Sequence, residues 1–120
     1  MIKQWTIGTA TGNSTVTSTR PLTGYIVAVY VDYAVTPNIA TDVTIQTTNA
    51  PLKTILTVTD NASSGWYYPR EVLNDTTGAD VTYDGTNEIY CKMPVSDYIS
   101  FTVAQGDSDQ ETTVYALVDC

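Results

Sequence analysis

Tyr98-Ile99-Ser100-Phe101-Thr102-Val103-Ala104-Gln105 decides the fold class. Ile99, Phe101 and Val103 alternate with Ser100, Thr102 and Ala104, the period of two that a strand shows when one face is buried and the other solvated. The same texture extends in both directions. Short runs rich in Val, Ile, Thr and Tyr cover residues 2–9, 25–33, 42–48, 53–59, 66–73, 86–93 and 112–118, and 14–19 offers one more. Gly, Asn, Asp and Pro separate them: Asp84-Gly85 suits a hairpin turn that needs positive φ, while Asn49-Ala50-Pro51 and Gly106-Asp107 interrupt the neighbouring ladders. Links this short force antiparallel pairing, because parallel crossovers need a dozen or more residues. The expectation is an all-β chain of about eight strands in an antiparallel two-sheet β-sandwich, jelly-roll-like in preference to a small barrel.

At 120 residues and 42% hydrophobic, the chain suits one domain over residues 1–120 and buries enough surface to fold without staples. Its two cysteines, Cys91 inside a strand and Cys120 at the end, are expected as free thiols. Met1-Ile2-Lys3-Gln4-Trp5-Thr6-Ile7-Gly8 lacks a basic start followed by an apolar stretch, and no apolar run approaches the ~20 residues of a membrane span. Synthesis in the cytosol without membrane attachment is therefore expected, and the Asn-x-Ser/Thr sequons at Asn13, Asn61 and Asn74 are chance products of a threonine-rich chain. A formal net charge of −8 repels phosphate backbones, so nucleic acid is not expected as a partner; the acidity serves solubility or docking on a basic surface.

Catalytic chemistry is narrowed by elimination. The chain has no histidine, which removes His-dependent serine and cysteine hydrolases. Two separated cysteines cannot complete a structural zinc site, and neither a phosphate loop nor a dinucleotide-binding glycine motif is present. Asp75-Thr76-Thr77-Gly78 resembles the Asp-Thr-Gly loop of aspartic proteases with an extra threonine inserted, and reads better as a turn. Gly106-Asp107-Ser108-Asp109-Gln110-Glu111 alternates carboxylates that would suit calcium, yet it lacks the length and mid-loop glycine of an EF-hand and reads as a solvated hairpin tip. No feature singles out two carboxylates as a glycosidase pair. No enzyme activity, metal or cofactor is expected.

The residues that point to a function are aromatic. In residues 25–33, strict alternation puts Tyr25, Val27, Val29, Val31 and Tyr33 on one side and Ile26, Ala28 and Tyr30 on the other, so both faces look covered. Tyr115 and Leu117 opposite Val114, Ala116 and Val118 repeat this near the C-terminus, and the two strands are expected to share a sheet whose outer face meets another subunit or lies beneath a loop or the N-terminal segment. Gly65-Trp66-Tyr67-Tyr68-Pro69-Arg70 concentrates the side chains that dominate binding hot spots. As a strand it would send Trp66 and Tyr68 to one face and Tyr67 to the other, with Pro69 placing it at an edge, a bulge or a strand start and Arg70 free to anchor a neighbour. Trp66, Tyr67, Tyr68 and Arg70 are the candidate partner-binding residues; core packing with a surface-paired arginine is the competing reading.

Taken in order, Gly24-Tyr25-Ile26-Val27-Ala28-Val29-Tyr30-Val31-Asp32-Tyr33, Asp42-Val43-Thr44-Ile45, Gly65-Trp66-Tyr67-Tyr68-Pro69-Arg70 and Phe101-Thr102-Val103-Ala104-Gln105-Gly106-Asp107 resemble small structural proteins of tailed bacteriophages. The resemblance runs over most of the chain. It is greatest to the capsid auxiliary proteins of cement, decoration or head-fibre type. It implies a non-enzymatic virion protein, made in the host cytoplasm, that binds the major capsid protein at the capsid surface, often as a homotrimer, and needs no cofactor. A carbohydrate- or receptor-binding β-sandwich module of a phage fibre, or a tail or neck connector, is the alternative.

Overall fold

A computed structural model describes residues 1–34, 36–61 and 63–120. Ten strands carry the chain: β1 (Ile2–Thr11), β2 (Thr15–Thr17), β3 (Leu22–Tyr33), β4 (Asp42–Thr47), β5 (Thr54–Val58), β6 (Gly65–Tyr67), β7 (Arg70–Val72), β8 (Tyr90–Asp97), β9 (Ile99–Ala104) and β10 (Glu111–Asp119). No helix occurs among the described residues. One sheet runs β1-β10-β3-β8-β7 with β6 also paired to β3; the other runs β2-β9-β4-β5. Every pairing is antiparallel.

With β6 and β7 set aside, the other eight strands are nested partners: β1 with β10, β2 with β9, β3 with β8 and β4 with β5. They form the sheets β1-β10-β3-β8 and β2-β9-β4-β5, which is the strand order of a jelly roll. Seven of the eight clearest runs in the sequence fall in this frame, as β1, β3, β4, β5, β8, β9 and β10; its remaining member is β2, from the additional run 14–19, and the run 66–73 lies outside it as β6 and β7. β6 and β7 are an addition between its fifth and sixth members.

The core lies between the sheets. Ile99, Phe101 and Val103 of β9 point inward and are fully buried, as their alternation requires, against Val43 and Ile45 of β4 and Val31, Val114 and Val118 of the facing sheet. Phe101 is the only phenylalanine in the chain, and its truncation to alanine would cost about 3–5 kcal/mol.

The strict alternation expected along β3 fails at one residue. Ala28 pairs with Leu117 but Ile26 pairs with Val118, so Val27 is an extra residue, a β-bulge that resets the phase of the strand. Ile26, Val29, Val31 and Tyr33 consequently face the core, while Tyr25, Ala28 and Tyr30 face outward. Val27 does not join Val29 and Val31 on the inner face as the sequence suggested. A second close fit lies two residues before this stretch. Gly24 has φ of 140° and approaches β10 so nearly that a Cβ there would collide with the Asp119 carbonyl oxygen, so only glycine fits.

Two other strand boundaries differ from the sequence reading. Residues 66–73 form two three-residue strands interrupted at Tyr68 and the buried Pro69, and 86–93 enters its strand only at Tyr90. Between them, residues 73–89 make an excursion in which no residue is buried. Its backbone closes a small ring: Val81 N–H donates to the Leu73 carbonyl at 2.8 Å, Leu73 N–H to Ile89 at 2.8 Å, and Ile89 N–H to Val81 at 3.0 Å. Asp75 and Asp84 build the two turns. The Thr77 hydroxyl, then the N–H groups of Thr77 and Ala79, hold the Asp75 carboxyl below the ordinary carboxylate range; Asn87 and Thr86 N–H groups do the same for Asp84. Gly85 has the positive φ its turn demands.

Candidate functional site

The outer face of the larger sheet carries the aromatic residues. Cross-strand register sets Thr6 opposite Tyr115, Tyr115 opposite Tyr30, and Tyr30 opposite Trp66, one rank across β1, β10, β3 and β6. Directly opposed residues in antiparallel strands share a face, so their side chains meet. The Tyr30 and Trp66 rings lie 4.9 Å apart at 50°, and the Tyr30 and Tyr115 rings 6.4 Å apart at 40°. Both are tilted arrangements of the kind that edge-to-face attraction favours. Trp66 ends the rank, 46% exposed on its β6 strand. Leu117 and Ala28 continue the uncharged surface one rank over; Ala28 is buried without belonging to the core cluster. Asp32, Asp119 and Lys92 stand around this area.

The four residues singled out from sequence do not share one surface. Trp66 faces outward and stacks on Tyr30. Tyr67 pairs with Val29 and faces inward, packed against the core, where its phenol accepts a hydrogen bond from the Asn61 amide. Tyr68 is 64% exposed beyond the end of β6. Arg70 is half-buried, and its Nη1 donates to the carbonyl oxygens of Val27 at 3.0 Å and Pro69 at 2.8 Å. The Val27 contact has a structural cause. β3 pairs with β8 up to Ile26 and with β6 from Val29 onward, so the bulge falls in a gap of the ladder and its carbonyl turns to the guanidinium. Arg70 therefore closes the sheet where β6 leaves it and β8 joins.

Tyr30 and Tyr115 were visible in the sequence as outward-facing aromatics, but their union with Trp66 depends on β6 pairing with β3, which no local pattern announces. An open groove of about 560 Å³ lies at the root of the excursion, with Tyr25, Leu73, Cys91, Lys92 and Pro94 on its walls. Cys91 and Cys120 are free thiols.

At one end of the sandwich the polar groups are internal. Gln110 is buried, and its Oε1 accepts from Asn38 N–H at 3.2 Å, Thr41 Oγ1 at 3.4 Å and Asp107 N–H at 3.3 Å. Residues 106–111 are thus a plug with an acidic rim instead of a wholly solvated tip. Among the described residues no group of three His, Cys, Asp or Glu side chains is arranged to hold a metal ion. The Tyr33 hydroxyl is buried with no hydrogen-bond partner among those residues; burial, then the nearby Tyr67 phenol and the Asp42 carboxylate, push its pKa up to about 12. Comparison with family models, curated proteins and solved structures finds no match in any of the three.

Proposed function

We propose that this chain is a non-enzymatic structural protein of a phage virion that adds to the capsid shell as a cement or decoration protein, with the major capsid protein and further copies of itself as partners, a trimer being the favoured assembly. The observation that carries the reading is the outward-facing aromatic rank Tyr115–Tyr30–Trp66, half-buried at the two tyrosines and exposed at Trp66, on an otherwise complete sandwich. An uncharged aromatic area of this kind is the usual centre of a protein interface.

Strand addition is a poor alternative route to assembly, because the sheet edges are blunted. β1 has a bulge between Thr6 and Gly8 and carries Lys3; β2, β6 and β7 have three residues each; β5 is bulged at Ile55 and preceded by Lys53; β8 contains Pro94. Contact through a sheet face remains. A lattice engages many copies at once, so a modest interface at each suffices to hold a shell.

The test is occupancy on purified shells. Trp66→Ala should weaken attachment by ~2 kcal/mol or more while circular dichroism and melting stay normal. Unaltered occupancy with a normal fold removes the aromatic rank from the interface, and light scattering that finds monomer alone at assembly concentrations removes the homo-oligomer. A second reading has its own support: a row of tilted rings is also a platform for sugar faces, as in a fibre module. Glycan-array binding by a monomer that ignores capsid shells would favour it.

A further inference from the structure

We propose that a small cleft at the free edge of β1 binds a carboxylate-bearing sugar residue, the acidic terminus of an otherwise neutral glycan. The cleft has a volume of about 160 Å³ and is lined by Trp5, Thr6, Ser18, Thr19, Arg20 and Leu22. That is below the roughly 300–1,000 Å³ of sites for drug-sized ligands, so it admits one ring and no more.

Arg20 sets the chemistry. Among the described residues its guanidinium has neither a carboxylate nor a carbonyl partner, although the chain has 13 acidic side chains. Of the other cationic side chains, Arg70 is occupied by backbone carbonyls and Lys53 and Lys92 have carboxylates, while Lys3, which lines neither this cleft nor the groove beside Cys91, has none among the described residues. A planar guanidinium recognises a carboxylate bidentately, with direction as well as charge. Trp5 supplies an indole for the C–H face of a sugar. The hydroxyl of Thr19 both donates and accepts, matching a sugar hydroxyl, whereas that of Ser18 is committed elsewhere.

The backbone around Arg20 and the Trp5 ring are held in place before any ligand arrives, while the exposed guanidinium itself has no partner among the described residues. Ser18 Oγ donates to the Arg20 carbonyl at 2.7 Å and accepts from Ile99 N–H at 3.1 Å, while Ser18 N–H donates to the Ile99 carbonyl at 2.8 Å. Pro21 restricts the backbone of Arg20. Trp5 is half-buried and packed against the core, which limits its rotamers. Preordering of this kind lowers the entropy lost on binding. The net charge of −8 selects further: a long polyanion is repelled by the rest of the molecule, whereas a single acidic residue on a neutral chain meets only the local guanidinium.

This inference uses none of the aromatic rank and stands or falls apart from the capsid reading. It is tested by NMR titration of the folded protein with glucuronate, glucose and acetate, following the Trp5 indole N–H and the Arg20 guanidinium signals. Glucuronate should give saturable shifts in the millimolar range, with glucose and acetate each at least tenfold weaker. Arg20→Gln should lower the glucuronate affinity at least tenfold, the loss of one charge-assisted contact, without changing the melting temperature. Trp5→Phe, which keeps a ring against the core, should retain the fold and weaken binding less. No saturable shift up to ~50 mM glucuronate overturns the site; acetate binding as well as glucuronate overturns the sugar; an unchanged affinity in Arg20→Gln overturns the carboxylate contact.

Discussion

Tyr33 and Arg70 show how much a single side chain can depend on what the fold places beside it. The Tyr33 hydroxyl is buried without a partner among the described residues, and its pKa is raised to about 12, above the ordinary value near 10. A raised folded-state pKa means that the neutral phenol contributes its stability below pH 10 and loses it as the pH climbs through 12, because only the unfolded chain ionises freely in between. Stability measured by denaturant unfolding should therefore fall between pH 10 and 12, and Tyr33→Phe should flatten that slope. At neutral pH the same variant should lie within about 1 kcal/mol of the parent, since the hydroxyl it removes satisfies nothing. Arg70 is the opposite case. Arg70→Ala strips the Val27 carbonyl of its donor and should cost about 1–3 kcal/mol in the same measurement. An unchanged unfolding midpoint would return Arg70 to the surface role that its neighbours Trp66 and Tyr68 suggested. The sequence marks Arg70 as unusual by its company, but the gap it fills arises only when β3 changes partner from β8 to β6.

Strand identity was legible wherever a strand pairs along its whole length with one face in the core. β9 and β10 follow their alternation, and β4 lies almost where its Val, Thr and Ile residues indicate. Failures came where pairing is interrupted. The phase of β3 breaks at Val27, and residues 66–73 divide at Pro69, because each of two neighbours competes for the same edge of β3. β-propensity reports that a residue fits a pleated surface and not which strand will lie beside it. The excursion 73–89 is the element with least to hold it, having no buried residue and only isolated bridges. Its amides should exchange with solvent roughly 100-fold faster than those of β3 and β10. Within it, the N–H groups of Leu73, Val81 and Ile89 should be the slowest, because they close the hydrogen-bonded ring. Uniform protection across both regions would show that the excursion is held by more than that ring.

The whole molecule is less compact than its length requires. Its radius of gyration is 15.3 Å, against about 13.6 Å for a typical 120-residue domain, and its extents are 47 × 30 × 27 Å. Charge acts at this same scale. With a net charge of −8, two copies repel at long range, so the self-association proposed for the aromatic face should strengthen as salt rises from ~20 to ~300 mM, where the screening length falls well below the size of the chain. Light scattering at a fixed concentration reads this directly, and association that weakens with salt would point instead to paired charges at the interface.

By itself the sequence determined the all-β class, the antiparallel sandwich, the alternation of β9 and the turns at Asp75 and Asp84, because these depend on residues adjacent along the chain. Only the tertiary structure decided the nested strand order, the bulge at Val27, the inward turn of Tyr67, the stacking of Trp66 on Tyr30 and the cleft that Trp5 and Arg20 both line. Each of these brings together residues far apart in sequence, and the energy that selects them comes from burial and from pairing across strands, which local spacing does not encode.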